Sequence, residues 1–226
     1  RRQTERIDVT KFKICGLRST NHAIAAANIG ADFLGFVFVP KVRRQLSVKH
    51  AKNIIQDYRL VKGSQGPKLV GLFANQSPEQ VNSICESCNL DIAQLCGNES
   101  PEYCRQIQVP IIKQIRVKEL GNRESTISDV LRKVEEVVSN EHIALLDNYE
   151  KGTIGGTGHC FDWSVASAIS SHHAFLLAGG LSPDNVHQAI IESNPWGVDV
   201  SSGVETNGIK DPKKIAAFGQ AVSFSK

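Results

Sequence analysis

No methionine occurs among the 226 residues, not even at position 1. The chain is therefore expected to be processed or cut from a longer polypeptide, with polar residues 1–10 as a tail or linker and 11–226 as one folded domain. An excess of charge is missing too. The formal net charge is +3, and the pairs Arg1-Arg2 and Arg43-Arg44 are local features, so no nucleic-acid partner is expected. No apolar run approaches the roughly 20 residues of a membrane-spanning helix. No signal-peptide pattern opens the chain, so no membrane partner is expected and a cytoplasmic location is.

Zinc-finger spacing is also absent. Cys85 and Cys88 form a C-x-x-C inside a helical pattern, and no second C-x-x-C or histidine pair follows. With 41% apolar residues the chain can bury a large core without disulfides or metal, and its six cysteines are read as reduced. No metal or cofactor is expected.

What is present is alternation. Short apolar runs at 12–15, 33–39, 69–73, 92–95, 111–117, 143–146, 175–178 and 198–200 read as strands buried on both faces. Helical stretches separate them. Ser19, Ser47, Ser77, Ser100 and Asp211 stand at helix starts, the last three directly before proline. The helix after Ser100-Pro101 is expected to run about two turns, and the next to begin near Ile127. Eight strands alternating with eight helices predict an α/β fold, a single closed (β/α)8 (TIM) barrel.

Working residues of such a barrel lie just past the C-terminal ends of its strands. That selects Cys15, the Arg43-Arg44 loop, Cys96, Lys113 and Arg116, Asp147, Gly179-Gly180 and Ser201-Ser202. The last two turns follow consecutive strands. With Ser182 as N-cap and Pro183 opening a helix, they predict a phosphate gripped between neighbouring loops. A thiol and a carboxyl facing one pocket can serve as base and acid in a proton transfer, and an arginine fork suits a carboxylate. Each feature also has a plain structural reading. Cys15 can be a core residue, Asp147 a turn cap, Arg43-Arg44 an exposed loop and Gly155-Gly-Thr-Gly158 a loop of no function.

Taken together, Lys13-Ile-Cys-Gly16, Gly30-Ala-Asp-Phe-Leu-Gly35, Gln94-Leu-Cys-Gly-Asn-Glu-Ser100, Leu145-Leu-Asp147, Gly155-Gly-Thr-Gly158, Phe161-Asp-Trp163, Leu177-Ala-Gly-Gly-Leu181 and Val198-Asp-Val-Ser-Ser-Gly-Val-Glu-Thr-Asn-Gly208 resemble the phosphoribosylanthranilate isomerases of tryptophan biosynthesis. The likeness runs from about residue 11 to 220. It implies a cofactor-free Amadori rearrangement of a small phosphorylated substrate. Carried over residue by residue, it makes Cys15 the general base at C2′ and Asp147 the general acid at the furanose oxygen. It assigns Arg44 to the anthranilate carboxylate, Asp199 to the substrate, and Gly156, Gly158, Gly179, Gly180, Ser201 and Ser202 to the phosphate region. In some fungi the family forms one domain of a multifunctional tryptophan-pathway polypeptide, which a 1–10 linker would suit.

Two positions depart from the family's usual Q-L-H-G-D-E after strand four, where Cys96 replaces the histidine and Asn98 the acid. A related barrel enzyme, indole-glycerol-phosphate synthase, would need a catalytic lysine flanked by serine and proline where this chain has Lys-Ile-Cys-Gly. A non-catalytic barrel retained for packing is the third reading, and intact Cys15 and Asp147 argue against it.

Overall fold

A computed structural model describes residues 10–63, 65–148 and 162–225. Eight parallel strands close into a barrel in sequence order, β8 pairing back onto β1. They are β1 (Lys11–Ile14), β2 (Phe33–Val37), β3 (Lys68–Phe73), β4 (Ile92–Leu95), β5 (Ile111–Val117), β6 (Ile143–Asn148), β7 (Phe175–Leu177) and β8 (Gly197–Val200). The helices α1 (Thr20–Asn28), α2 (Val48–Lys62), α3 (Pro78–Cys88), α4 (Pro101–Cys104), α5 (Arg123–Ser139), α6 (Trp163–Ser170), α7 (Val186–Ser193) and α8 (Pro212–Ser223) follow their strands in turn. A short antiparallel hairpin, β9 (Glu205–Thr206) with β10 (Ile209–Lys210), sits between β8 and α8.

The two-residue period of the strands sorts the core. Ile14, Leu34, Leu69, Leu95, Ile111, Leu146, Leu177 and Val198 belong to the large cluster shared with the helices. Phe33, Val70, Ile92, Ile112, Leu145 and Leu176 form a second cluster, together with Cys15 and Cys96. The second set alternates with the first along each strand and fills the barrel interior. Counting up by twos from it leads to Cys15, Cys96, Asp147, Ala178 and Ser201 at the barrel mouth.

Helix starts follow side-chain chemistry. Ser19, Ser47, Ser77, Ser100, Asn122, Asp162 and Asp211 each accept a hydrogen bond from a backbone N–H of the first turn, a contact worth about 1 kcal/mol. The Asn122 cap starts α5 four residues before the expected Ile127. α4 is a single turn rather than two: beyond Arg105 the amides of Gln106 and Ile107 bond three residues back instead of four. This tightening comes just before Val109 and Pro110, which suit an extended chain better than a helix.

The α7 start differs most. Ser182 is not its N-cap and Pro183 is not helical. The helix begins at Val186 behind Asn185, which makes no side-chain cap bond. The Asn185 amide instead braces the preceding turn, accepting from Ser182 N at 2.8 Å and donating to Gly180 O at 2.9 Å.

Candidate active site

Cys15, Arg44, Asp147, Gly179, Gly180, Asp199, Ser201 and Ser202 line one pocket at the C-terminal mouth of the barrel, with Gln94, Cys96 and Gln114. Of the expected site residues, Gly156 and Gly158 lie outside the described residues. Lys113 is not brought in. Its ammonium group turns to Glu99 Oε2 at 2.5 Å and Gly97 O at 2.9 Å, outside the barrel wall. Arg116 lies on the inward face and donates to Cys96 O at 3.0 Å.

The two candidate proton-transfer groups occupy different surroundings. Asp147, next to last in β6, has one carboxylate oxygen on Asn148 N at 2.8 Å and the other on the Gln114 amide. Burial and the nearby Asp199 charge push it up to about 6, against those hydrogen bonds and Arg116. Cys15, only 5% exposed, follows β1. Burial raises its thiol, and the Lys13 ammonium opposes that rise. Cys96 is pushed up to about 12 by burial, offset in part by the Gln94 amide and then by the Lys13 ammonium. Two buried thiols thus share the pocket, both raised by burial and both pulled down in part by Lys13.

The rim beside Cys15 is braced by charge. Arg44 Nε donates to Glu205 Oε1 at 2.6 Å and its NH2 group to Oε2 at 2.9 Å, a bidentate fork. Arg43 and Lys210 bond the same carboxylate at 2.6 and 2.9 Å. Burial works against the Glu205 charge, yet Arg44, Lys210 and Arg43 hold the carboxyl down at about 2. Lys210 also donates to Ser201 O at 2.8 Å, and Ser201 Oγ donates to Cys15 O at 3.2 Å. The loop after β2, the loop after β8 and the hairpin are thereby fastened around Cys15.

The turns after β7 and β8 meet where only glycine fits. A Cβ on Gly203 would lie 1.9 Å from Leu181 O, so backbone packs on backbone there. Gly179 has φ 89° and a Cβ on it would meet Asp147 Oδ1 at 3.0 Å, so this turn also walls the carboxyl.

A family model described as N-(5′-phosphoribosyl)anthranilate isomerase matches residues 12–221. The chain belongs to this isomerase family. It is 42% identical over 212 residues to the enzyme of that name from Dehalococcoides mccartyi, covering 94% of this chain and 95% of the relative. It is 39% identical to the one from Roseiflexus castenholzii, covering 92% and 95%. The crystal structure of phosphoribosyl anthranilate isomerase from Thermotoga maritima superposes with a TM-score of 0.80 at 33% identity, over 94% of this chain and 98% of that one. A phosphoribosyl anthranilate isomerase solved in complex with reduced 1-(o-carboxyphenylamino)-1-deoxyribulose 5-phosphate gives 0.77 at 32% identity, covering 94% and 98%. The chain is thus an enzyme, a phosphoribosylanthranilate isomerase of tryptophan biosynthesis.

Within that family frame, Cys96 faces the pocket as the histidine comparison required, while Asn98 is exposed and its backbone N–H donates to Asn75. Three features of the site escaped the sequence. Lys13 is a fully buried cation bonded to Asp199 at 2.9 Å. Gln114 supports Asp147. Glu205 and Lys210 reach Arg44 through a hairpin whose turn is Asn207-Gly208, both at positive φ. An Asn-Gly pair is a strong hairpin signal, so that last element was readable.

Proposed function

We propose that this isomerase moves its protons with Cys15 as general base and Asp147 as general acid. Asp147 gives a proton to the furanose oxygen as the C1′–O bond breaks and the anthranilate nitrogen forms a double bond to C1′. Cys15 thiolate then takes the C2′ proton, and the released electron pair makes the enol amine. The enol becomes the ketone by moving its hydroxyl proton to C1′. Atoms are conserved, and the pair passes from thiolate with carboxylic acid to thiol with carboxylate.

The observation that carries this reading is the Asp147 environment. A carboxyl raised to about 6 can hold a proton near neutral pH, and a surface aspartate cannot. The thiol's elevation means the resting pair keeps its single proton mainly on sulfur. Anionic substrate entering the pocket favours the carboxylic acid. Arg44 is proposed to offer the substrate carboxylate the guanidinium edge that Glu205 leaves open. The turns at Gly179-Gly180 and Ser201-Ser202, with Gly156 and Gly158, are proposed to hold the phosphate, and Asp199 to contact the sugar. The cytoplasmic location and membership of a larger tryptophan-pathway polypeptide belong to the same proposal.

Asp147→Asn tests it. Turnover should fall at least about a hundredfold, with the reduced product analogue bound as in the unaltered enzyme. Near-normal turnover would remove Asp147 from the mechanism. In the unaltered enzyme kcat/KM should fall below about pH 6 and again at alkaline pH, because only the singly protonated pair is active.

A further inference from the structure

Among the described residues, one of the large side chains with no solvent exposure is a lysine, Lys13. Strand alternation puts it on the inward face of β1, two residues before Cys15. Its register partner across the closing β1–β8 seam is Asp199, and Nζ donates to Oδ1 at 2.9 Å. An ammonium group carries three N–H donors, so this bond leaves donors over. The opposite side of the group is open because β2 places Gly35 there. A Cβ at Gly35 would lie 3.1 Å from Cys15 Sγ and 3.2 Å from Lys13 Nζ, so sulfur and ammonium border the same small space.

Stability alone does not explain the pair. Replacing a buried ion pair by apolar residues of similar volume is often neutral or stabilising. The barrel interior around it already supplies apolar neighbours. Lys210, a second cation near the sulfur, is committed to Ser201 O and Glu205, and Arg44 to Glu205.

We propose that Lys13 is a positioning residue of the isomerisation: anchored by Asp199, its ammonium group faces the Cys15 sulfur and stabilises the thiolate that accepts the substrate proton. This rests on the reading of Cys15 as base. The groups facing that sulfur from the packed elements are Lys13 on β1, Asp199 on β8, Lys210 on β10, Arg44 across Gly16, Cys96 beyond β4 and Asp147 on β6. Burial and Asp199 push the thiol up, and Lys13 supplies the strongest opposing pull. Lys13 itself keeps its proton: burial works against the charge, but Asp199 and Cys15 outweigh it.

The test is an ultraviolet titration of the Cys15 thiolate in the full chain, using Cys15→Ser as the blank. Lys13→Met should raise the midpoint by at least about one pH unit, since a nearby opposite charge shifts a group by about 1–3 units. Asp199→Asn should lower it, because Lys13 then has only the thiolate to pair with. Lys13→Met should also lower kcat far more than it changes KM. A purely structural pair would weaken folding in both variants without opposite shifts. An unchanged midpoint in folded Lys13→Met, or shifts of the same sign in the two variants, would overturn the proposal. If Lys13→Met does not fold, Lys13→Gln takes its place: a raised midpoint supports the proposal and an unchanged or lowered one overturns it. The titration reads the hold of Lys13 on the thiol whether or not Cys15 is the base, which the turnover of Cys15→Ser settles separately.

Discussion

The two sides of the pocket are built on different principles. Around β8, β1 and β2 the wall is ionic. Lys13 pairs with Asp199, and Arg43, Arg44 and Lys210 converge on Glu205, whose side chain is 5% exposed. Around β4 the side chains lining the pocket are neutral: Gln94 donates to the Cys96 sulfur at 3.5 Å, and its buried Oε1 has no partner among the described residues. Both sides present a buried, raised thiol that Lys13 pulls on. Cys15, however, lies two residues along the chain from that cation with Lys210 adding to the pull, while the larger pull on Cys96 is the Gln94 amide. The comparison ties the proposed role of Cys15 to its charged neighbours rather than to its being a cysteine at a strand end.

Gly180→Asp strikes the ionic side hardest. It sets a negative side chain at φ 69°, in a turn proposed to meet phosphate, and KM should rise at least about tenfold. Steady-state kinetics on folded protein checks this, and an unchanged KM would count against the phosphate assignment.

Glu205→Ala comes next. It leaves three cations without their shared partner, and denaturant unfolding at pH 7 should show a loss of about 3 kcal/mol. The carboxyl is depressed from 4.5 to about 2, so its stabilisation is fully present above 4.5 and fades as pH falls toward about 2. The gap between the unaltered chain and the variant should close over that window. A constant gap would show that packing, not charge, supplies the effect.

On the neutral side smaller effects are expected. Cys96→His should fold and keep or raise activity, and a collapse in melting temperature would show the thiol to be core packing instead. Gln94→Leu removes an amide with an orphaned oxygen and should change stability by no more than about 1 kcal/mol. A larger loss would mean that the Gln94 contact to Cys96 organises this wall.

The barrel was legible because its signals are local. Apolar runs marked the strands, and Ser19, Ser47, Ser77 and Ser100 cap their helices as their positions suggested. Cys15, Arg44, Asp147 and the β7–β8 turns fall in one pocket because strand ends converge in this fold. Ser182 misled because its hydroxyl serves a turn, accepting from Asp184 N, while Asn185 stands at the helix start. Lys13 was invisible as a partner of Asp199, since the two lie 186 positions apart and meet only when β8 closes on β1. The Arg44–Glu205 fork spans 161 positions in the same way. Lys113 looked like a pocket residue until strand alternation turned it outward to Glu99.

The most direct measurement compares the two thiols side by side: turnover of Cys15→Ser and of Cys96→Ser, each with its affinity for the reduced product analogue. Cys15→Ser should bind the analogue normally and turn over at least about a hundredfold more slowly. Cys96→Ser should stay within about threefold of the unaltered enzyme, because the proposed mechanism gives its thiol no proton to move. Turnover lost in Cys96→Ser but kept in Cys15→Ser would contradict the assignment of the base.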